Sequence, residues 1–224
     1  MSRTRIASIL AALMFVSSFG MAKDLALPAP DPARGSLAIT LETKPPIKIG
    51  TMSANQVYFV RLDEGEKLSD GESVIPSNFS GKNQIYLLNA KPGRYVAVAA
   101  QLDGGPRTDS HAFLSEEAIQ QTEVTVVPGK MTFIGQFKLQ ASTNMSQADS
   151  VEAHYYRLIL PDVSKKGFMG RAFAGTNAYT ARLVSVAKDA ETTKAFWAEA
   201  IEKAFKKEPS WQDAVRHEME TPAQ

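Results

Sequence analysis

The sequence predicts a mainly β fold, an antiparallel β-sandwich of the Ig-like or transthyretin-like kind, followed by a C-terminal α-helical appendage. Roughly six or seven short apolar segments fill residues 36–140, and no long helices alternate with them. Two Pro-Gly turns separate neighbouring pairs of these segments. A parallel sheet would need helical crossovers, for which this stretch leaves no room.

Four segments make up the predicted organisation. They are a signal peptide at residues 1–22, a Pro-rich linker at 23–35, the sandwich domain at 36–160, and a loop with two helices at 161–224 that pack on the sandwich.

Composition excludes several classes of function. The chain has 224 residues, 25 Lys and Arg, 24 Asp and Glu, and no cysteine. Without cysteine there are no disulfides, no thiolate metal sites and no cysteine nucleophile. The near-zero net charge argues against a nucleic-acid partner.

The N-terminus has the layout of a secretory signal peptide. Arg3 and Arg5 precede an uncharged apolar run at residues 6–16, and small residues follow as far as Ala22. We expect cleavage between Ala22 and Lys23, because the run is shorter than the ~20 residues that span a bilayer. A retained membrane anchor is the alternative. The mature chain is then periplasmic or secreted, with no transmembrane segment.

Prolines 28, 30 and 32 stiffen the segment after the cleavage site and block helix and sheet pairing. We interpret it as a linker to the first strand. A ligand for another protein that recognises proline-rich segments is the alternative.

The predicted strands follow period-two alternation and β-branched content. Residues 36–43 and 56–62 form the first two strands, and a long polar excursion at 63–81 holds one short strand. Residues 84–89 and 94–101 flank Lys91-Pro92-Gly93, which predicts a tight hairpin.

The second half of the predicted sandwich domain contains another pair of strands joined by a Pro-Gly turn. Residues 111–114 predict a short strand, and Ser115 caps a single helical turn. Pro128-Gly129-Lys130 joins the last two strands, 122–127 and 131–140. Gly135 inside the final strand indicates a bulge or a close backbone approach.

The paired strand-turn segments carry a family resemblance. The segments are IYLLNAKPGRYVAVAA and TEVTVVPGKMTFIGQF, within residues 84–140. They resemble transthyretin-like and carboxypeptidase-regulatory-like modules of bacterial envelope proteins, and exported bacterial domains of uncharacterised function. The resemblance implies a β-sandwich. Because such families span adhesion, accessory and uncharacterised roles, it implies little about function.

The tail is predicted to be largely helical. Residues 151–160 satisfy both strand and helix spacing, and the aromatic content with Pro161 favours a strand. Residues 192–207 form a helix with one apolar stripe that includes Trp197, and a second short helix runs from Ser210 to Glu218. We expect the stripe to dock on the sandwich or an earlier helix; a membrane-surface helix is the alternative.

Candidate site residues are few. Asp109 and His111 stand beside a Gly-rich loop and are predicted to bind a ligand, because loops at the ends of sandwiches carry binding residues. Two side chains do not make a metal site, so neither a metal nor a cofactor is predicted. His154 is expected to be half-buried, and His217 lacks the second histidine of H-E-x-x-H.

These observations predict an exported, non-enzymatic protein that acts as a binding or structural module in the periplasm or cell envelope. Its partner would be another envelope protein or envelope component. The alternative is a hydrolase or metal-dependent enzyme that uses loop residues near Asp109, His111 and His154. A lipid or envelope-component binder at the membrane is a third reading, and it would require a hydrophobic cavity or an apolar patch.

Overall fold

A computed structural model describes residues 27–46, 50–62, 66–68, 71, 73–103, 109–166 and 175–220. The signal peptide predicted at residues 1–22 and its cleavage site at Ala22 and Lys23 lie outside the described residues, as does the Gly-rich loop at 104–108.

The described residues form ten strands and five α-helices. The strands are β1 (Gly35–Lys44), β2 (Met52–Leu62), β3 (Val74–Pro76), β4 (Phe79–Gly81), β5 (Gln84–Ala90), β6 (Gly93–Leu102), β7 (Asp109–Leu114), β8 (Val124–Val126), β9 (Met131–Ser142) and β10 (Thr176–Ala187). The helices are α1 (Glu116–Gln121), α2 (Ser150–Ile159), α3 (Pro161–Ser164), α4 (Ala190–Glu199), which a π-helical turn (Ala200–Ala204) extends, and α5 (Pro209–Glu220).

Six strands close into a mixed β-barrel, so the predicted antiparallel β-sandwich is wrong. The pairing runs β2–β6–β7–β10–β9–β1, and β1 pairs with β2 to complete the ring. Two of these pairs are parallel, β1 with β9 and β7 with β10. Both connections between parallel partners are long enough to include helices or further strands, so the absence of simple helical crossovers did not exclude them.

Both Pro-Gly turns are corners rather than hairpins, which is the local reason that the sandwich prediction failed. Strand β5 leads into the Lys91-Pro92-Gly93 turn and pairs with β1 and β4, whereas β6, which follows the turn, pairs with β2, β7 and β8. At the second turn β8 pairs with β6, whereas β9 pairs with β1 and β10. A tight turn reverses the chain, but it does not choose the partner of either strand.

The tail differs from the prediction in two elements. Residues 150–159 form helix α2, because Asp149 and Glu152 make a reciprocal capping box at its start. Strand β10, in a region without a predicted strand, fills the ring between β7 and β9. The helical turn capped by Ser115, the bulge at Gly135 and the two C-terminal helices are confirmed.

Two apolar cores stabilise the molecule. The larger draws on all six barrel strands, and α1 and α2 add residues such as Ile119 and Tyr155. The second lies between the outer side of β1, β5 and β9 and the C-terminal helices, and contains Trp197 and Trp211. No helix in the described ranges is long and apolar enough to cross a membrane.

Candidate functional site

A groove of about 540 Å³ opens beside the Lys91-Pro92-Gly93 corner. It exists because β2 and β5 separate there. Strand β1 pairs with β5 from Gly35 to Thr40, but with β2 only at Glu42 and Thr43, at its far end. The floor and walls between the separated strands include Ile75 of β3 and Leu87 of β5.

Asn78 closes the strand edge that faces this groove. Its side-chain amide donates to the carbonyl of Leu88 at 3.0 Å and accepts from the Leu88 N–H at 2.8 Å. The amide therefore takes the place of a neighbouring strand at the position just before β4 begins. At Leu88, therefore, the backbone N–H and carbonyl beside the groove are already hydrogen-bonded to Asn78, and this part of the β5 edge is not open to a further strand.

Three cationic side chains line the groove, and they come from separate parts of the sequence. Arg34 precedes β1, Arg61 lies near the end of β2, and Lys91 stands in the corner itself. The described lining residues include no Asp or Glu. Arg34 keeps an ion pair with nearby Asp31 at 3.4 Å, but both side chains are 43% exposed, so solvent screens it strongly.

The surroundings of Tyr95 show that the positive charges of Arg34 and Arg61 lie close to the same side chain. Its ring is buried and its hydroxyl donates to the carbonyl of Lys91 at 3.0 Å. Burial raises the pKa of Tyr95, and the positive charges of Arg61 and Arg34 each oppose that rise. Two guanidinium groups thus act on one phenol at the wall of the groove.

Gly93 allows Arg61 to occupy its position. The φ of Gly93 is +144°, and a Cβ there would lie 2.6 Å from Nε of Arg61. Only glycine combines this backbone conformation with the close approach of the guanidinium. The corner therefore opens the groove and also makes room for one of its cations.

The structure brings Asp109 and His111, the predicted binding residues, close together on β7. Oδ2 of Asp109 lies 3.0 Å from Nε2 of His111, and Oδ1 accepts from the side chain of Gln101 at 2.8 Å. His111 is only 3% exposed, and within the described residues neither ring nitrogen has a partner in hydrogen-bonding geometry. Burial and the negative charge of Asp109 raise the pKa of nearby Tyr58.

His154 has its own surroundings on α2, where Nε2 lies 3.2 Å from the carbonyl oxygen of Gly71. The described part of the chain contains no group of three or more His, Asp or Glu residues that could hold a metal ion. The Asp109 and His111 pair therefore remains a predicted binding feature, with no third described ligand beside it.

Sequence reasoning missed the cationic groove. Arg34 lies in the predicted linker at residues 23–35, and Arg61 is thirty positions from Lys91. The one available signal was the Lys-Pro-Gly triplet, but a hairpin interpretation places β5 and β6 side by side and leaves no groove between them.

No protein family model, curated protein or solved structure matches this chain. Its class is therefore described by its own fold and site: a closed six-stranded mixed β-barrel, packed against C-terminal helices, with a basic groove at one corner.

Proposed function

We propose that this chain is an exported, non-enzymatic binding module of the periplasm or cell envelope, and that its groove holds a ligand bearing carboxylate or phosphate groups. The observation that carries the proposal is the meeting of Arg34, Arg61 and Lys91 in one groove whose described lining contains no carboxylate. The signal peptide that the sequence predicts at residues 1–22 supports the proposed compartment.

The chemistry of the groove suits an anion with an apolar part. Guanidinium groups bind carboxylate and phosphate oxygens through two parallel hydrogen bonds, and an ammonium group adds a point charge. Ile75, which is partly exposed, and Pro76, which is exposed, provide apolar surface beside these charges. A volume of about 540 Å³ lies within the range of small-molecule sites, and the groove also admits one acidic portion of a larger envelope component.

The test uses mature protein isolated from the periplasmic fraction, with its N-terminus sequenced to check for a start at Lys23. Citrate and tripolyphosphate are the carboxylate and phosphate probes, titrated by calorimetry at low ionic strength. We expect Lys91→Gln to weaken binding of the preferred probe about three- to fivefold, as for a partly exposed ion pair.

Lys138→Gln is the matched control, because it removes the same charge from an exposed position on β9 outside the groove. Equal losses in Lys91→Gln and Lys138→Gln would indicate diffuse attraction and contradict a groove site. Failure of the unmodified protein to bind either probe would also reject the proposed ligand class.

A further inference from the structure

Arg34 belongs to the groove and also to an N-terminal strap, residues 27–34, which lies within the predicted linker at 23–35. The strap lies against the body of the protein: Leu27 packs in the second core, and the Gly129 N–H donates to the carbonyl of Arg34 at 2.7 Å. Within the strap, Asp31 pairs with Arg34. The position of the groove's first cation therefore depends on how the strap is held.

Two side chains hold the strap from different elements. Nε1 of Trp211, on α5, donates to the carbonyl of Pro28 at 2.9 Å. Asn89, at the end of β5, donates from Nδ2 to the carbonyl of Ala29 and accepts the N–H of Asp31 at Oδ1, both at 2.9 Å. These three hydrogen bonds fix both sides of the proline-rich stretch.

Asn89 also contacts Arg34 directly. Nη1 of Arg34 donates to the backbone carbonyl of Asn89 at 3.1 Å, and Asn89 has a left-handed φ of +54°. Arg34 and Asn89 line the basic groove and also a second cavity, of about 180 Å³, beneath the strap. The two residues thus form the partition between the strap and the groove.

We infer that Asn89 and Trp211 are positioning residues for the anion site, which by holding the strap keep Arg34 at the groove, so that ligand binding and strap docking reinforce each other. This inference rests on the proposed function. The coupling is reciprocal by thermodynamic linkage: if the docked strap strengthens anion binding, a bound anion strengthens docking of the strap.

The test compares Asn89→Gly, Trp211→Phe and Arg34→Gln with citrate or tripolyphosphate, whichever binds the unmodified protein more tightly. Glycine keeps the left-handed backbone but removes both side-chain hydrogen bonds, and phenylalanine keeps an aromatic ring but removes the indole donor. We expect Arg34→Gln to weaken binding about three- to fivefold, and each strap variant to weaken it by no more than that. In the Arg34→Gln background the strap variants should cause no further loss.

Two matched controls separate this effect from general destabilisation. Asn83→Gly changes another asparagine with a positive φ, of +68°, in the β4–β5 turn. Trp197→Phe changes the other tryptophan of the second core, and neither residue hydrogen-bonds the strap. Both controls should retain the affinity of the unmodified protein.

Hydrogen exchange provides a readout that a merely structural role would not move. Exchange at the Gly129 amide should quicken in both strap variants, because that amide bonds to the strap. The probe should slow this exchange in the unmodified protein but not in Arg34→Gln.

Loss of affinity in Arg34→Gln with none in Asn89→Gly and Trp211→Phe would overturn the inference and leave the proposed function standing. Unchanged affinity in Arg34→Gln would overturn it as well, whereas no probe binding by the unmodified protein would reject the proposed function and the inference together.

Discussion

Glu152 is a buried carboxylate that joins helix α2 to strand β10. Its side chain has no exposed surface, and it lies 2.8 Å from Nη1 of Arg182, which is 44% exposed. It also accepts the N–H groups of Asp149 and Ala181. Burial, with a smaller contribution from the negative charge of Asp149, raises the pKa of Glu152 more than the Asp149 N–H and Arg182 lower it.

The raised pKa predicts a pH dependence of stability. In the folded state Glu152 holds its proton at pH values where the unfolded chain has already lost it. The stabilising contribution is therefore complete below the ordinary value of 4.5 and is lost as pH rises through the folded-state pKa. We expect Glu152→Gln to remove this part of the pH dependence, measured as the difference in unfolding free energy between pH 7 and pH 5 in urea.

Glu117→Gln is the control for that measurement, because Glu117 is an exposed carboxylate on α1. It should leave the difference between the two pH values as it is in the unmodified protein. A Glu152→Gln variant that kept the full pH dependence would show that other groups cause it.

At the scale of single elements, the corner between β5 and β6 determines whether the groove exists. Gly93→Ala should destabilise the protein by about 1–3 kcal/mol, because alanine must adopt a φ of +144°. It should also weaken probe binding, since the new Cβ would lie 2.6 Å from Nε of Arg61 and displace it.

Gly50→Ala separates these two effects. Gly50 also has a positive φ, of +107°, but a Cβ there meets no atom of the described residues within 4 Å. The control should therefore lose stability through backbone strain and keep the affinity of the unmodified protein. Both quantities can be measured on the same samples, by chemical denaturation and by calorimetry.

The elements also show how far sequence can predict this molecule. Local rules found the strands around both Pro-Gly turns, the helix capped by Ser115 and the C-terminal helices, because neighbouring residues determine those structures. They did not find the partners of β5 and β6, since nothing local to Lys91-Pro92-Gly93 specifies β1 and β2. The aromatic content of residues 151–160, with Pro161, favours a strand, but the capping box of Asp149 and Glu152 makes this segment helix α2.

The candidate site was harder to predict for the same reason. Asp109 and His111 are two positions apart, so an extended strand places them on one face, and that proximity could be anticipated. Arg34, Arg61 and Lys91 meet only after β1, β2 and β5 have taken their places in and beside the barrel. Their convergence is a property of topology, and a single sequence carries no local pattern for it.

At the scale of the whole molecule, closure of the barrel depends on β10. Thr180 is 3% exposed and lies opposite both Phe113 of β7 and Ser142 of β9. Proline at this position removes a backbone donor and places a ring between two paired strands. We expect Thr180→Pro to cost about 2–4 kcal/mol of unfolding free energy.

Val184→Pro is the matched control on the same strand, and the comparison tests whether barrel and helices unfold together. Val184 is 64% exposed and falls at the register shift between Leu183 and Ser185, so proline there should cost less than about 1 kcal/mol.

Both tryptophans lie in the second core, so their fluorescence reports the helices, whereas far-UV circular dichroism reports the whole chain. The second core is shared with the outer side of β1, β5 and β9, so we expect Thr180→Pro to shift both signals to the same lower urea midpoint. A variant that lost its circular dichroism while the tryptophan transition stayed in place would show that the helices fold independently of the barrel.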